Sequence, residues 1–146
     1  MEQIINNYTD FKRYLDLKSS VKINNDIDVI ALKDGHIKKQ NITKLAKEYN
    51  NSLSDFTKLL LISFRTIQRY KNDKVLSPDV ADHAITLARL LVYGVFVFGE
   101  KDKYIKWINI PSKVFGGKKP IEIMDSNTGC ELVKDELTRI MHGVYI

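Results

Sequence analysis

The chain has 146 residues, 44% hydrophobic and 28% charged, with a formal charge of +5. This is the make-up of a folded chain forming one domain, or two small helical ones on a shared core, and not of a disordered one. The single cysteine, Cys130, rules out an internal disulfide and a cysteine zinc cluster, and His36, His83 and His142 stand at no metal-ligand spacing.

The longest apolar run, Leu90 to Phe98, is interrupted by Gly94 and reads as too short to span a bilayer. The polar N-terminus does not read as a signal peptide. The expectation is a cytoplasmic protein that uses no cofactor, metal or membrane. Its charge is unevenly spread. Residues 1–35 carry five Lys/Arg against six Asp/Glu, residues 36–75 nine against three, and residues 76–146 nine against nine. The whole positive excess lies in the middle segment. Such a segment suits a polyanion such as DNA, and a solvated basic face is the plainer alternative.

Taken in order, Tyr8, Phe11, Tyr14 and Leu15 recur at helical spacing and predict an amphipathic helix over about 7–18. Asp26 is a candidate cap for a short helix from Ile27 to Lys33, ending at Gly35. Ile42, Leu45, Ala46 and Tyr49 predict a helix over about 38–49. Ser52 or Ser54 caps the next one, with Leu53, Phe56, Leu59 and Leu60 on its inner face. A turn at Leu61-Ile62-Ser63 leads to a short basic helix running to about Asn72.

Ser77-Pro78-Asp79 marks a helix start, with a cap, a proline at the first position and an acid at the positive end of the dipole. The apolar phase runs unbroken from Ala81 to Phe96, which favours helix over strand for Val92 to Phe98, and Gly99 closes it. Tyr104 to Asn109 forms a further short helix. Turns follow at Pro111 and Pro120, and a last helix carries Leu132, Val133, Leu137, Ile140 and Met141. The expected fold is all-α, with seven or eight helices and no strand.

Ser63 caps the basic helix or contacts a nucleic acid. Arg65, Gln68 and Arg69 lie on its polar side, where Arg suits guanine and Gln adenine. Thr66 and Lys71 suit phosphates, which position without specifying. Ile67 and Tyr70 read as core, as do Trp107 and Phe115. A helix-turn-helix presents such a helix to the major groove, usually as a dimer on two half-sites. Gly116-Gly117-Lys118-Lys119 lacks the spacing of a phosphate loop. No nucleophile–base pair appears, so an enzyme is disfavoured.

Four pieces, in order, make residues 53–146 resemble the Xre/MbcA/ParS antitoxins, partners of RES-domain toxins. The first is Ile62-Ser63-Phe64-Arg65-Thr66-Ile67-Gln68-Arg69-Tyr70. The second is Leu76-Ser77-Pro78-Asp79 with the closing Val97-Phe98-Gly99. The third is Trp107 with Ile110-Pro111-Ser112 and the segment from Phe115 to Met124. The fourth is Thr128-Gly129, Val133, Leu137-Thr138-Arg139-Ile140 and Gly143-Val144-Tyr145-Ile146. Thr57 and Leu61 depart from the usual helix-turn-helix pattern, which has a small residue and a glycine there.

The expected organisation is an N-terminal helical extension (1–35), a helix-turn-helix DNA-binding part (36–75) and a C-terminal toxin-binding domain (76–146), the last two being the parts that the resemblance implies. The resemblance implies an antitoxin that neutralises a RES-type, NAD-degrading toxin, binds operator DNA as a homodimer and represses its own operon. Arg139, Gly143, Val144, Tyr145 and Ile146 are the implied toxin contacts. The Tyr145 ring and the Ile146 carboxylate are expected to enter the toxin's NAD cleft, with a tail folded back on its own core as the alternative. Residues 1–35 either pack on the DNA-binding part or mediate dimerisation. The competing function is a stand-alone helix-turn-helix regulator whose C-terminal part dimerises or senses a ligand. A neighbouring toxin gene separates the two.

Overall fold

The computed structural model describes residues 8–143. Eight α-helices follow one another there. They are α1 (Tyr8–Leu15), α2 (Asp26–Ala31), α3 (Lys39–Glu48), α4 (Leu53–Phe56), α5 (Phe64–Arg69), α6 (Pro78–Phe98), α7 (Lys101–Ile108) and α8 (Asn127–Met141). Three single 3-10 turns, Thr57–Leu59, Lys113–Phe115 and Pro120–Ile123, complete them. The fold is all-α. Among the described residues the only β feature is one antiparallel bridge between Lys38 and Val75.

The helix ends sit where local chemistry puts them. Ser52, Ser63, Ser77 and Ser126 each accept a first-turn amide, satisfying donors that a helix N-terminus otherwise leaves unpaired. Asn25, rather than Asp26, caps α2, accepting from the Asp28 amide. Gly99 adopts φ 84° and turns α6 into α7. Helix α4 is cut short. At Thr57 it tightens into a 3-10 turn, and the buried Thr57 hydroxyl donates to the Ser54 carbonyl at 2.9 Å. Leu61 is 64% exposed, and the only non-glycine residues with positive φ in the described chain are Asp16 and Asn50. The turn before α5 therefore needs no left-handed residue, and the missing glycine is not a backbone defect.

Helix α6 is the axis of the molecule and packs against α1, α7 and α8. It is buried on nearly every side, through residues such as Ala81, Ala84, Leu87, Ala88 and Leu91, as an all-round apolar helix must be. By length and composition α6 is apolar enough to cross a membrane, beyond what the run Leu90 to Phe98 suggests, but it is 67% buried inside this bundle. Gly94 lies directly under the Tyr104 ring, so α6 and α7 approach at a point where a side chain would not fit.

Polar bonds lock the ends onto this axis. His83 Nε2 donates to the Met124 carbonyl at 2.8 Å, which fixes the Pro120–Ile123 turn to α6. Asn41 Nδ2 donates to the Leu15 carbonyl at 2.7 Å, closing the end of α1. Asp26 receives both the Tyr8 hydroxyl (2.9 Å) and Arg89 (3.1 Å), which ties α2 to α1 and α6. One continuous hydrophobic cluster runs from Phe11 to Leu137, and α1 through α8 all contribute to it.

Candidate functional site

Helix α5 has only six residues, far below what holds a helix in water unaided. Its stability comes from its surroundings. Ile67 is fully buried and pins it to the core, as its apolar position in the sequence predicts. Ser63 Oγ accepts the Thr66 amide at 3.1 Å and donates to Thr66 Oγ1 at 2.9 Å. Both hydroxyls are thus engaged with each other at the helix start. Tyr70 is only partly buried and leaves the helix in an extended conformation, which ends α5 at Arg69 rather than near Asn72.

The outer side of α5 presents Arg65, Gln68 and Arg69, with Lys71 just beyond, all exposed. Of the nine basic residues in 36–75, four have an internal partner. Lys44 pairs with Glu48 (3.0 Å) and Lys58 with Asp55 (3.3 Å). Lys39 Nζ donates to the Tyr70 carbonyl at 2.9 Å, and Lys74 sits 5.5 Å above the Tyr70 ring centre. Lys38, Lys47, Arg65, Arg69 and Lys71 form no ion pair within the described chain. Of these, Arg65, Arg69 and Lys71 lie on or directly after the short helix, and such cations can meet an anionic backbone.

The end of α5 is joined to the start of α3. The first-turn amides of Lys39 and Gln40 donate to the carbonyls of Lys74 (3.0 Å) and Asn72 (2.9 Å), and the Leu76 amide donates to Ile37 (2.9 Å). Lys39 was not among the residues that the sequence singles out. Its partner Tyr70 lies 31 positions away, and no local pattern signals such a bond.

In the C-terminal part, α6, α7 and α8 enclose Tyr104, Ile108, Val133 and Leu137. Trp107 and Phe115 are half-buried and close an aromatic row with Phe98. Their ring centres lie 5.5 Å (Phe98–Trp107) and 6.4 Å (Trp107–Phe115) apart. Arg139 is half-buried, and its Nε and Nη2 both lie 2.9 Å from Glu136 Oε2. Gly143 adopts φ 73° and turns the chain off the end of α8. Val144, Tyr145 and Ile146 lie outside the described residues.

Two other features are not reaction sites. In the Gly116-Gly117 loop the amides of Gly116, Gly117 and Lys118 donate inward, to the carbonyls of Lys113, Ser112 and Phe115 (3.1, 2.9 and 3.2 Å). No cradle of free N–H groups is left for a phosphate. A cleft of about 330 Å³ between α2, α6 and α8 is lined by Asp26, Arg89, Tyr93, Cys130, Glu131 and Lys134. Burial, with Asp125 and Glu131 adding to it, pushes the Cys130 thiol up to about 12, the opposite of an activated nucleophile.

Comparison with known proteins bears on this geometry. Residues 94–143 match the family of antitoxin Xre/MbcA/ParS C-terminal toxin-binding domains. The matched span starts at Gly94, under Tyr104, and ends at Gly143, so it covers the last turn of α6, all of α7 and all of α8. The chain is 29% identical over 84 residues to an antitoxin Xre of Pseudomonas putida, covering 57% of this chain and 53% of that protein. It is 29% identical over 79 residues to an antitoxin Xre of Yersinia enterocolitica, covering 53% of each. The chain thus spans about half the length of the curated relatives it matches. Over residues 94–143 this chain is similar to the Xre/MbcA/ParS C-terminal toxin-binding domains.

Proposed function

We propose that this chain is the antitoxin of a toxin–antitoxin pair. It binds a RES-domain toxin that degrades NAD, blocks it, and represses the operon through α5. The single observation that carries the first half is the match of residues 94–143 to a toxin-binding domain. The second half is supported by α5 itself. A capped helix anchored through Ile67 holds Arg65, Gln68 and Arg69 outward beside Lys71, with Ser63 and Thr66 at its start.

In this reading the working unit is a dimer, because two half-sites multiply the affinity of a short recognition helix. The three parts, 1–35, 36–75 and 76–146, serve as extension, DNA reader and toxin binder. They divide the labour while sharing one core. The protein acts by occupancy and performs no reaction. Arg139, Gly143 and the residues 144–146 supply the toxin contact, and Gly143 has the left-handed φ of 73° at the end of α8.

The test is co-expression with the product of the adjacent reading frame in a host that the product poisons. The expected result is rescued growth and a co-purifying complex. Deleting residues 144–146 is expected to abolish rescue while the complex persists. A host that stays poisoned in the presence of the full chain sinks the antitoxin reading. Full rescue by the deleted chain removes the tail from the contact.

A further inference from the structure

We infer that Lys39 is a positioning residue for the recognition helix: its ammonium straps the end of α5 to the start of α3 and sets the angle at which α5 meets DNA. The inference rests on the reading of α5 as the DNA-facing helix. It concerns a residue on another helix, 25 positions before Phe64 and outside the motif that marks that reading.

Three observations carry it. First, α5 is too short to hold itself, so its orientation is set by whatever grips its two ends and its inner face. The inner face has Ile67 and the start has Ser63. At the end, the helix has no left-handed cap, because Tyr70 continues in extended conformation. Lys39 Nζ, donating to the Tyr70 carbonyl at 2.9 Å, supplies that grip.

Second, the bond does not stand alone. Lys39 also donates its backbone amide to Lys74, and Gln40 donates to Asn72. The unpaired first-turn donors of α3 are thereby satisfied by the loop that leaves α5. The two helix ends complete each other, and the Lys39 side chain is the only member of this group that reaches past the loop to α5. Third, Tyr70 is gripped at a second point. Its ring lies beneath Lys74 at 5.5 Å, so the residue is held from both sides.

A lysine held this way is not a phosphate ligand. Its ammonium is directed at a backbone oxygen, and its chemistry is that of a charge-assisted hydrogen bond within the protein. Phosphate contacts move the salt dependence of binding, whereas a misaligned recognition helix lowers base discrimination and leaves the salt dependence unchanged. The two roles therefore separate experimentally.

The experiment compares the full chain with Lys39→Met, which keeps the stem and removes the ammonium, and Lys39→Arg, which restores a donor. Amide exchange is measured without DNA. Binding is then titrated against salt, on a duplex carrying the chain's own promoter and on a scrambled duplex. In Lys39→Met the amides of Ile67 to Tyr70 are expected to exchange faster while α6 is unchanged. Preference for the promoter is expected to fall about tenfold, the scale of one charge-assisted bond, with the salt slope intact. Lys39→Arg is expected to recover both. Unchanged α5 exchange in Lys39→Met overturns the inference. So does faster exchange spread evenly over the whole protein, which marks general destabilisation, or a slope shallower by about 0.9, which marks a phosphate contact. A wild-type chain that shows no promoter preference instead sinks the reading of α5 and takes the DNA role of Lys39 with it; the exchange arm still reports on the strap.

Discussion

The Tyr49 hydroxyl donates to the Leu87 carbonyl oxygen at 2.6 Å, from the end of α3 to the middle of α6. Its proton being committed there, the Tyr104 hydroxyl at 3.3 Å is the donor to Tyr49. Both rings are fully buried, and burial pushes both phenols above their ordinary value of 10.0. They remain donors across any physiological pH. This pair joins α3 to α6 and α7 through the core and not across a linker.

Tyr49→Phe removes the shared hydroxyl with little change of volume. It leaves the Tyr104 hydroxyl without its acceptor and Leu87 with one bond fewer. The expected cost is about 1–3 kcal/mol, the range for an orphaned buried polar group. Urea unfolding followed by circular dichroism checks it, and a midpoint equal to wild type refutes the role assigned to the pair.

Gly94→Ala drives a Cβ into the Tyr104 ring, which is itself fully buried. Helix propensity alone would favour alanine here. Overpacking opposes that, and about 1–3 kcal/mol of destabilisation is expected to prevail. Gly129→Ala meets the Ile123 carbonyl oxygen of the main chain in the same way. Thermal melts of the two variants decide the sign, and a raised melting temperature in either contradicts the packing described.

Glu48 provides a pH handle. Burial raises its carboxyl, but hydrogen bonds from Lys44 (3.0 Å) and Lys101 (3.3 Å) outweigh that and hold it below the ordinary 4.5. A depressed folded value means stability that is present above the unfolded value and is lost as pH falls through the folded one. Glu48→Gln is therefore expected to be less stable than wild type at pH 7. The gap is expected to close as pH drops below about 4.5. A gap that is constant from pH 7 to pH 3 would point to packing alone.

If α5 meets DNA, Arg65, Arg69 and Lys71, exposed on it or directly after it, are the first candidates for phosphate contacts. Together the three would contribute about −2.7 to the slope of log affinity against log salt. Arg69→Ala is expected either to lower that slope by about 0.9 or to relax base preference by about 1–3 kcal/mol, according to which it contacts. Titrations at several salt concentrations distinguish these outcomes. An Arg69→Ala chain with unchanged affinity and unchanged slope removes this residue from the interface.

The helices were largely legible in the sequence because their signals are local. Ser77-Pro78 and Gly99 bound α6 where they were expected to, and the apolar phase of α6 decided helix over strand for Val92 to Phe98. Ser63 proved to be a cap because its hydroxyl lies three residues from a first-turn amide whatever the rest of the chain does. The misreadings were local ones. Asn25 took the cap assigned to Asp26, and α5 ended before Asn72, where contacts from α3 draw the loop away.

By itself, the sequence determined the all-α class, the order of the helices, the charge concentrated in 36–75 and the motifs of a toxin-binding domain. Each of these depends on residues within a turn or two of one another, or on composition. Only the tertiary structure decided which of the nine basic residues remain uncompensated, that Lys39 reaches Tyr70, and that Tyr49 meets Leu87 and Tyr104. Those bonds join residues 31 to 55 positions apart. Whether a polar side chain is free or engaged depends on what the fold brings within 3 Å of it, and no spacing along the chain encodes that.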